Sequence, residues 1–183
     1  LRINECYGLK WENIDTKRGT ITIDRQMQYQ EGLIKLVSLK TRNARRTVYM
    51  SDKLKAYLRH LERENKAQAA ALAAQRAQNQ TFITDIDGKQ ISSLELVNSL
   101  PNGKIQTVNS MKYHSKTIKA KLGINFKFHY LRHTYGTRLA EMNTPTHILC
   151  NQMGHASGKV TERYYLAVSK PGIEVLTHNL NAM

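Results

Sequence analysis

The stretch His129-Tyr-Leu-Arg-His-Thr134 places two imidazoles and one guanidinium within two turns of a helix predicted over residues 129–142. A second predicted helix, residues 146–153, follows and stops at Gly154. The two histidines have the spacing of a zinc-binding pair, but Tyr130 stands where the H-E-x-x-H motif has its glutamate. No metal site is therefore predicted. H-x-x-R alone is common in basic chains, so its meaning depends on the residues around it.

Four other short pieces lie on either side of this stretch in a fixed order. Arg2 is followed by Glu5, and a basic segment runs Leu39-Lys-Thr-Arg-Asn-Ala-Arg-Arg-Thr-Val48. Downstream come Met153-Gly-His155 and Thr161-Glu-Arg-Tyr-Tyr165. Each piece taken singly is weak evidence. Their order and spacing together form a specific pattern.

In this pattern the sequence resembles the catalytic domain of the tyrosine recombinases, the phage integrase family. The resemblance spans nearly the whole chain and implies an α+β fold, a mainly helical domain with a small antiparallel three-stranded sheet near the N-terminus. It also implies a tyrosine nucleophile nine residues after the histidine of the L-G-H box, which is Tyr164. The implied catalytic residues are Arg2, Lys40, His129, Arg132, His155 and Tyr164.

Two positions in this assignment stay open. Tyr165 is a rival nucleophile if the turn at residues 158–159 holds an extra residue, and Lys35 replaces Lys40 if the lysine-bearing hairpin is shifted. We expect residues 1–183 to form a single catalytic domain, a fragment lacking the family's N-terminal DNA-clamping domain. Residues 171–183 are expected to form a tail that docks on a neighbouring protomer.

The resemblance implies strand cleavage and rejoining through a 3′-phosphotyrosine. Two guanidiniums suit this chemistry because they stay charged and match phosphate oxygens with forked donors. In this scheme His129 is the base, His155 donates a hydrogen bond to the phosphate, and Lys40 protonates the leaving 5′-oxygen. None of the three Gly-Lys pairs is followed by serine or threonine, so a P-loop is absent. No cofactor is expected.

The formal charge of +14 at pH 7 predicts a polyanionic partner, double-stranded DNA. No apolar run is long enough to span a bilayer, so no membrane partner is expected. Two cysteines exclude a disulfide scaffold and fit a reducing cytoplasm, as in a bacterial or prophage-encoded protein. Expected contacts with backbone phosphates are Arg42, Arg45, Arg46, Lys112, Lys116, Lys119, Lys121 and Lys127.

Hydrophobic periodicity predicts the remaining elements. Strands are expected over residues 19–24, 32–39 and 45–50, with a hairpin joining the second and third. Helices are expected over residues 3–9, 52–78, 107–122 and 160–168, and in the tail from residue 171. Turns are expected at residues 85–88 and 100–103.

The function favoured by this pattern is that of a site-specific recombinase or integrase of a phage or mobile element, assembled as a tetramer on paired DNA sites. A type IB topoisomerase is a close alternative, since its chemistry is similar but needs no partner protomer. A third alternative, from another class, is a non-catalytic DNA-binding domain that retains the fold.

Overall fold

The computed structural model describes residues 1–30, 33–40, 44–73, 81–100, 102–155, 157–166 and 170–182. In these residues the chain forms seven α-helices and seven β-strands. The helices are α1 (Ile3–Tyr7), α2 (Asp52–Ala71), α3 (Val108–Leu122), α4 (Phe128–Glu141), α5 (Thr146–Met153), α6 (Gly158–Leu166) and α7 (Lys170–Asn181). The strands are β1 (Ile14–Asp15), β2 (Thr20–Ile23), β3 (Arg25–Gln30), β4 (Leu33–Ser38), β5 (Arg46–Tyr49), β6 (Phe82–Thr84) and β7 (Gln90–Ser92).

A small antiparallel sheet near the N-terminus has the strand order β1-β2-β5. Ile21 and Ile23 of β2 point to the same face, as their alternation predicts, and pack with Val48 of β5 and Leu58 of α2. The prediction of a mainly helical α+β domain with one three-stranded antiparallel sheet is confirmed.

The predicted strand membership of that sheet is wrong in one respect. The strand predicted over residues 32–39 corresponds to β4 (Leu33–Ser38), but β4 pairs with β3 instead of joining β5 in a hairpin. β5 pairs with β2, with Thr22 opposite Thr47. A second sheet, of order β3-β4-β6-β7, was not predicted.

The second sheet escaped prediction because β3 has the composition of a loop. Its sequence Arg-Gln-Met-Gln-Tyr-Gln contains one fully buried apolar residue, Met27, and no β-branched side chain. Met27 lies opposite Leu36 of β4, and both pack in a core with Tyr7 of α1 and Ile83 of β6. The pairing depends on this burial, which joins residues far apart in the chain.

The predicted helices are confirmed, with ends shifted by a few residues at most where they are described. α3 and α5 both end at a glycine in the left-handed conformation, Gly123 and Gly154. α2 begins at the N-cap Ser51, whose hydroxyl accepts from the Leu54 N–H, and ends at Ala71. The continuation predicted for residues 74–78 lies outside the described residues.

A separate core forms among α4, α5 and α6. Its buried members are Ala140, Leu149, Met153 and Tyr164. Tyr164, which the sequence pattern predicts to be the nucleophile, is therefore a buried member of this helical core. Nowhere in the described residues is there a helix both long and apolar enough to span a membrane.

Candidate active site

Two arginines from opposite ends of the sequence meet at the C-terminal end of α5. Arg2 lies just before α1 and its Nη2 donates to the Gly154 carbonyl at 2.8 Å. Arg132, from the first turns of α4, donates from Nη2 to the Met153 carbonyl. Consecutive carbonyls at the negative end of the helix dipole thus hold both guanidiniums. The two cations are brought together by helix geometry and not by a shared carboxylate.

Glu5 organises the arginine side of this site. Its carboxylate accepts from the backbone N–H of Arg2 at 2.8 Å and from Arg2 Nη1 at 2.8 Å. The same carboxylate accepts from Arg46 Nη1 and Nη2 at 3.1 and 2.9 Å. Burial alone raises the pKa of Glu5, but the hydrogen bonds from Arg46 and Arg2 outweigh burial and lower the pKa from 4.5 to about 2.

The position of Arg46 does not fit its predicted contact with DNA. Its side chain is only 6% exposed and pairs with both oxygens of Glu5, so it is not presented to a ligand. The guanidinium lies against Gly154, where a Cβ would be 2.7 Å from its atoms. Glycine is therefore favoured at this position for two reasons. It adopts the left-handed φ of 67° without strain, and it leaves room for the Arg46 guanidinium.

Arg132 is more enclosed than Arg2, the other arginine predicted to act in catalysis. It is 7% exposed, and its Nη1 has no hydrogen-bond partner within the described part of the chain. Burial, followed by the nearby charge of Arg2, lowers its pKa. An unpaired buried donor on a cation is costly unless an anion satisfies it. The site is therefore suited to receive an anionic oxygen.

His155 follows Gly154 directly and belongs to the same cluster. Its Nδ1 lies 2.8 Å from the Thr161 hydroxyl oxygen of α6. Burial, together with the charges of Arg132, Arg2 and Arg46, lowers the pKa of His155 to about 4. The imidazole is consequently neutral at neutral pH and carries one N–H.

Tyr164 faces the cluster from α6 and is 7% exposed. Its ring stacks on His155 with 5.9 Å between centroids and 5° between planes. The His133 ring meets it edge to face at 5.1 Å. Arg2, Arg132, His155 and Tyr164, which the sequence pattern links, are thus adjacent in the fold.

Comparisons with known proteins identify the family to which the chain belongs. The family model described as the phage integrase family matches residues 1–170. The chain belongs to the phage integrase family, whose members are the tyrosine recombinases. Its fold is that of a catalytic domain of this family.

Two curated relatives and two solved structures illustrate the likeness. The tyrosine recombinase XerC-like protein of Caldanaerobacter subterraneus subsp. tengcongensis is 28% identical over 181 residues, and a prophage ps2 probable integrase of Lactococcus lactis subsp. lactis is 25% identical over 174. Each match covers 92% of this chain and 42% of the relative. The chain therefore spans less than half the length of these relatives.

Among solved structures, the Tn1549 transposon integrase in complex with transposon right end DNA has a TM-score of 0.69 at 22% identity, covering 99% of this chain and 55% of that one. XerA recombinase has a TM-score of 0.59 at 18% identity, covering 97% and 53%. These likenesses show the shared integrase fold.

Other residues predicted from the integrase pattern lie outside the cluster. His129 is exposed on the first turn of α4, and the histidine that contacts Tyr164 is His133, one turn later. Lys40 is exposed two residues after β4, with no hydrogen bond or ion pair to any described residue. Lys35 lies within β4, opposite Gln28. The side chain of Tyr165, and all of Arg42, lie outside the described residues.

The predicted DNA-contact lysines are all exposed. Lys112, Lys116 and Lys119 recur at helical spacing along one side of α3. Lys121, at the end of α3, Lys127, just before α4, and Arg45, just before β5, are exposed as well. With the exception of Arg46, the described members of the set are placed where a polyanion can reach them.

Besides His133, three residues with a part in this site were not among the predicted ones. Glu5 was visible as an acidic residue three positions after Arg2, the spacing of a helix-capping carboxylate. Thr161 was visible as the residue one helical turn before Tyr164. Gly136 gave no local signal, because it sits in the middle of a helix where glycine is otherwise unfavourable.

Gly136 supplies a test of how tightly Tyr164 is seated. A Cβ at Gly136 would lie 2.9 Å from Tyr164 Cε1 and 3.2 Å from Met153 Cε. We expect Gly136→Ala to lower the free energy of unfolding by about 1–3 kcal/mol through overpacking, despite the better helix propensity of alanine. Urea denaturation measures this.

Gly158→Ala is the matched control, since among the described residues a Cβ there would meet only Glu162 Oε1, at 3.7 Å. We expect it to be neutral or stabilising. A Gly136→Ala variant as stable as the wild type would contradict the close seating of Tyr164.

Proposed function

We propose that the protein is a site-specific recombinase of the integrase type, which cuts and rejoins DNA through a 3′-phosphotyrosine intermediate without metal or ATP. The observation that carries this proposal is the convergence of Arg2 and Arg132 on adjacent carbonyls beside the rings of His155 and Tyr164. A pocket with two guanidiniums, an imidazole and a phenol matches the needs of phosphodiester transfer by tyrosine.

The two arginines are proposed to bind the scissile phosphate. Arg132 Nη1 is a free buried donor among the described residues, and the Arg2 side chain is 44% exposed, so both can turn donors toward an incoming anion. Their charges would stabilise the negative charge that develops on the pentavalent phosphorane. Glu5 and Arg46 are proposed to hold Arg2 in place without contacting DNA.

The proposed reaction begins with attack of the Tyr164 oxygen on phosphorus. The P–O bond to the 5′-oxygen breaks, and the phenolic proton leaves to a base. The family pattern suggests His129 for this base, although the histidine that contacts the Tyr164 ring in the fold is His133, one turn later. The 5′-oxygen takes a proton, for which Lys40 is the proposed donor. The products are a 3′-phosphotyrosyl ester and a free 5′-hydroxyl. Attack of another 5′-hydroxyl on this ester reverses the step and rejoins the strand.

Self-association on paired DNA sites is part of the same proposal. In α7, Ile173 is 49% exposed and Leu180 is 60% exposed, and they are two helical turns apart. Such an apolar side on a terminal helix favours docking on another protomer. The Tn1549 integrase structures are complexes with DNA, which supports double-stranded DNA as the ligand.

The lysines of α3 allow a test of the DNA interface. The triple variant with glutamine at Lys112, Lys116 and Lys119 is expected to have a shallower slope of log affinity against log salt concentration. The slope should decrease in magnitude by about one for each phosphate that a lysine no longer neutralises. Fluorescence anisotropy over a series of salt concentrations measures the slope. Lys89→Gln, in the β6–β7 turn where Lys89 pairs with Asp87 at 3.1 Å, is the control and should leave the slope unchanged.

The central test is formation of a covalent adduct. The full-length protein is incubated with nicked suicide duplexes that span the ends of its own mobile element, and products are resolved on a denaturing gel. We expect an adduct that forms equally well in EDTA. Binding with no adduct would favour the non-catalytic alternative, and relaxation of plasmid DNA by single protomers would favour the topoisomerase alternative.

A further inference from the structure

A buried hydroxyl touches the imidazole of the candidate site. Thr161 is 0% exposed, and its Oγ1 lies 2.8 Å from His155 Nδ1. Thr161 precedes Tyr164 by one turn of α6, so the two side chains lie on the same side of that helix. The His155 ring is therefore bounded by two side chains of the helix that carries the candidate nucleophile.

The direction of this hydrogen bond follows from the need of the buried Thr161 hydroxyl for an acceptor. A threonine hydroxyl has one proton to donate, and leaving it without an acceptor in a fully buried position is costly. Within the part of the chain that the structure describes, His155 Nδ1 is the one partner of the Thr161 hydroxyl. The hydroxyl proton is therefore directed at Nδ1. An Nδ1 that accepts a hydrogen bond carries no proton of its own.

We propose that Thr161 is a positioning residue that holds the His155 ring in the tautomer with its proton on Nε2, which makes His155 a hydrogen-bond donor to the phosphate. This proposal rests on the proposed function, since the donated bond matters only if Arg2 and Arg132 bind a phosphate beside His155. Thr161 itself does not touch the DNA.

Tautomer control matters here because the ring carries a single proton. Burial and the charges of Arg132, Arg2 and Arg46 lower the pKa of His155 to about 4, so at neutral pH the ring is not doubly protonated. In the other tautomer Nε2 would be a lone pair facing an anion. That arrangement repels the phosphate. The position of one proton therefore decides whether His155 favours or opposes phosphate binding.

The stacking with Tyr164 adds a second restraint on the same ring. The two planes are 5° apart, and the ring cannot rotate about its Cβ–Cγ bond without losing both this stacking and the Thr161 hydrogen bond. A movement of α6 would therefore shift Tyr164 and change the orientation of the His155 ring at the same time.

The experiment has one arm that does not depend on catalysis. Nitrogen-15 NMR of the imidazoles in the free 183-residue chain at pH 7 reports which nitrogen of His155 is protonated. We expect a protonated Nε2 in the wild type and a mixture of tautomers in Thr161→Val, which keeps the shape of the side chain. Thr161→Ser should restore the wild-type tautomer. A proton on Nδ1 in the wild type, or an unchanged tautomer in Thr161→Val, would overturn the proposal.

The second arm measures single-turnover adduct formation by the full-length protein on the same kind of suicide duplex. We expect Thr161→Val to slow cleavage roughly tenfold to a hundredfold at unchanged DNA affinity, and Thr161→Ser to recover most of the rate. The control is Thr137→Val, which removes the hydroxyl 3.4 Å from Nδ1 of the exposed His133 and should leave the His155 tautomer as in the wild type.

The two arms separate the proposals. A wild-type protein with the expected tautomer but no adduct contradicts the proposed function and leaves the assignment of the proton standing. A Thr161→Val variant with an altered tautomer and a wild-type cleavage rate overturns the positioning role. If Thr161→Val does not fold, the wild-type spectrum and Thr161→Ser still decide the matter.

Discussion

The Tyr164→Phe variant is expected to form no covalent adduct with suicide DNA, a loss of about 10⁴-fold or more, because the substitution deletes the oxygen that we propose attacks phosphorus. The fold should survive. The Tyr164 ring packs with Ala140, Leu149 and Met153, and phenylalanine keeps that packing. DNA affinity should therefore match the wild type in the same anisotropy assay, while the denaturing gel shows no shifted band.

Tyr165→Phe is the matched control, one residue further along α6. We expect it to retain adduct formation. Peptide mapping of the wild-type adduct after nuclease digestion should place the nucleotide on Tyr164. Loss of the adduct in Tyr165→Phe with its retention in Tyr164→Phe would show that the neighbouring tyrosine is the nucleophile.

The second large effect is expected for Glu5→Gln. The Glu5 carboxylate is 1% exposed and lies between the Arg2 and Arg46 guanidiniums. Glutamine removes the negative charge and directs an N–H₂ group at a cation, so we expect unfolding to become easier by about 3 kcal/mol at pH 7. Urea denaturation followed by circular dichroism measures the difference.

This difference should depend on pH in a defined direction. The pKa of Glu5 falls from 4.5 to about 2 on folding, so the unfolded chain binds a proton more readily than the folded chain. The stability from the charged carboxylate is complete above about pH 4.5 and disappears as the pH falls toward 2. The difference in free energy of unfolding between the wild type and Glu5→Gln should therefore decrease over the same pH range.

Glu62→Gln is the control for this series. Glu62 pairs with Lys66 at 2.6 Å on the surface of α2, where an ion pair contributes little. We expect a change below about 1 kcal/mol at every pH. An equal loss in both variants, or a Glu5→Gln gap that stays constant down to about pH 2, would argue against the buried network as the source of the effect.

Most of the helical framework was predictable because its signals are local. The apolar spacing in α3 and the glycines that end α3 and α5 depend on neighbouring residues alone. The grouping of Arg2, Arg132, His155 and Tyr164 was predictable for a different reason. A five-part pattern in a fixed order has a specificity that no single part has.

The second sheet and the internal contacts of the site were not predictable in the same way. β3 is polar, and its pairing with β4 depends on the burial of Met27 against Leu36. Arg46 was expected to contact DNA because it stands in a basic segment, yet its partner Glu5 lies 41 residues away. Likewise, the rotation of α4 decides that His133 and not His129 meets Tyr164.

From its order of residues alone, this chain revealed its family pattern, its helices and the types of side chain in its candidate site, since those properties depend on composition and short spacing. The folded chain alone decided that Arg46 pairs with Glu5 while Arg2 and Arg132 bind carbonyls at the end of α5, and that the Thr161 hydroxyl lies against the His155 imidazole. These depend on distances between residues far apart in the sequence, and such distances are set by how the cores pack together.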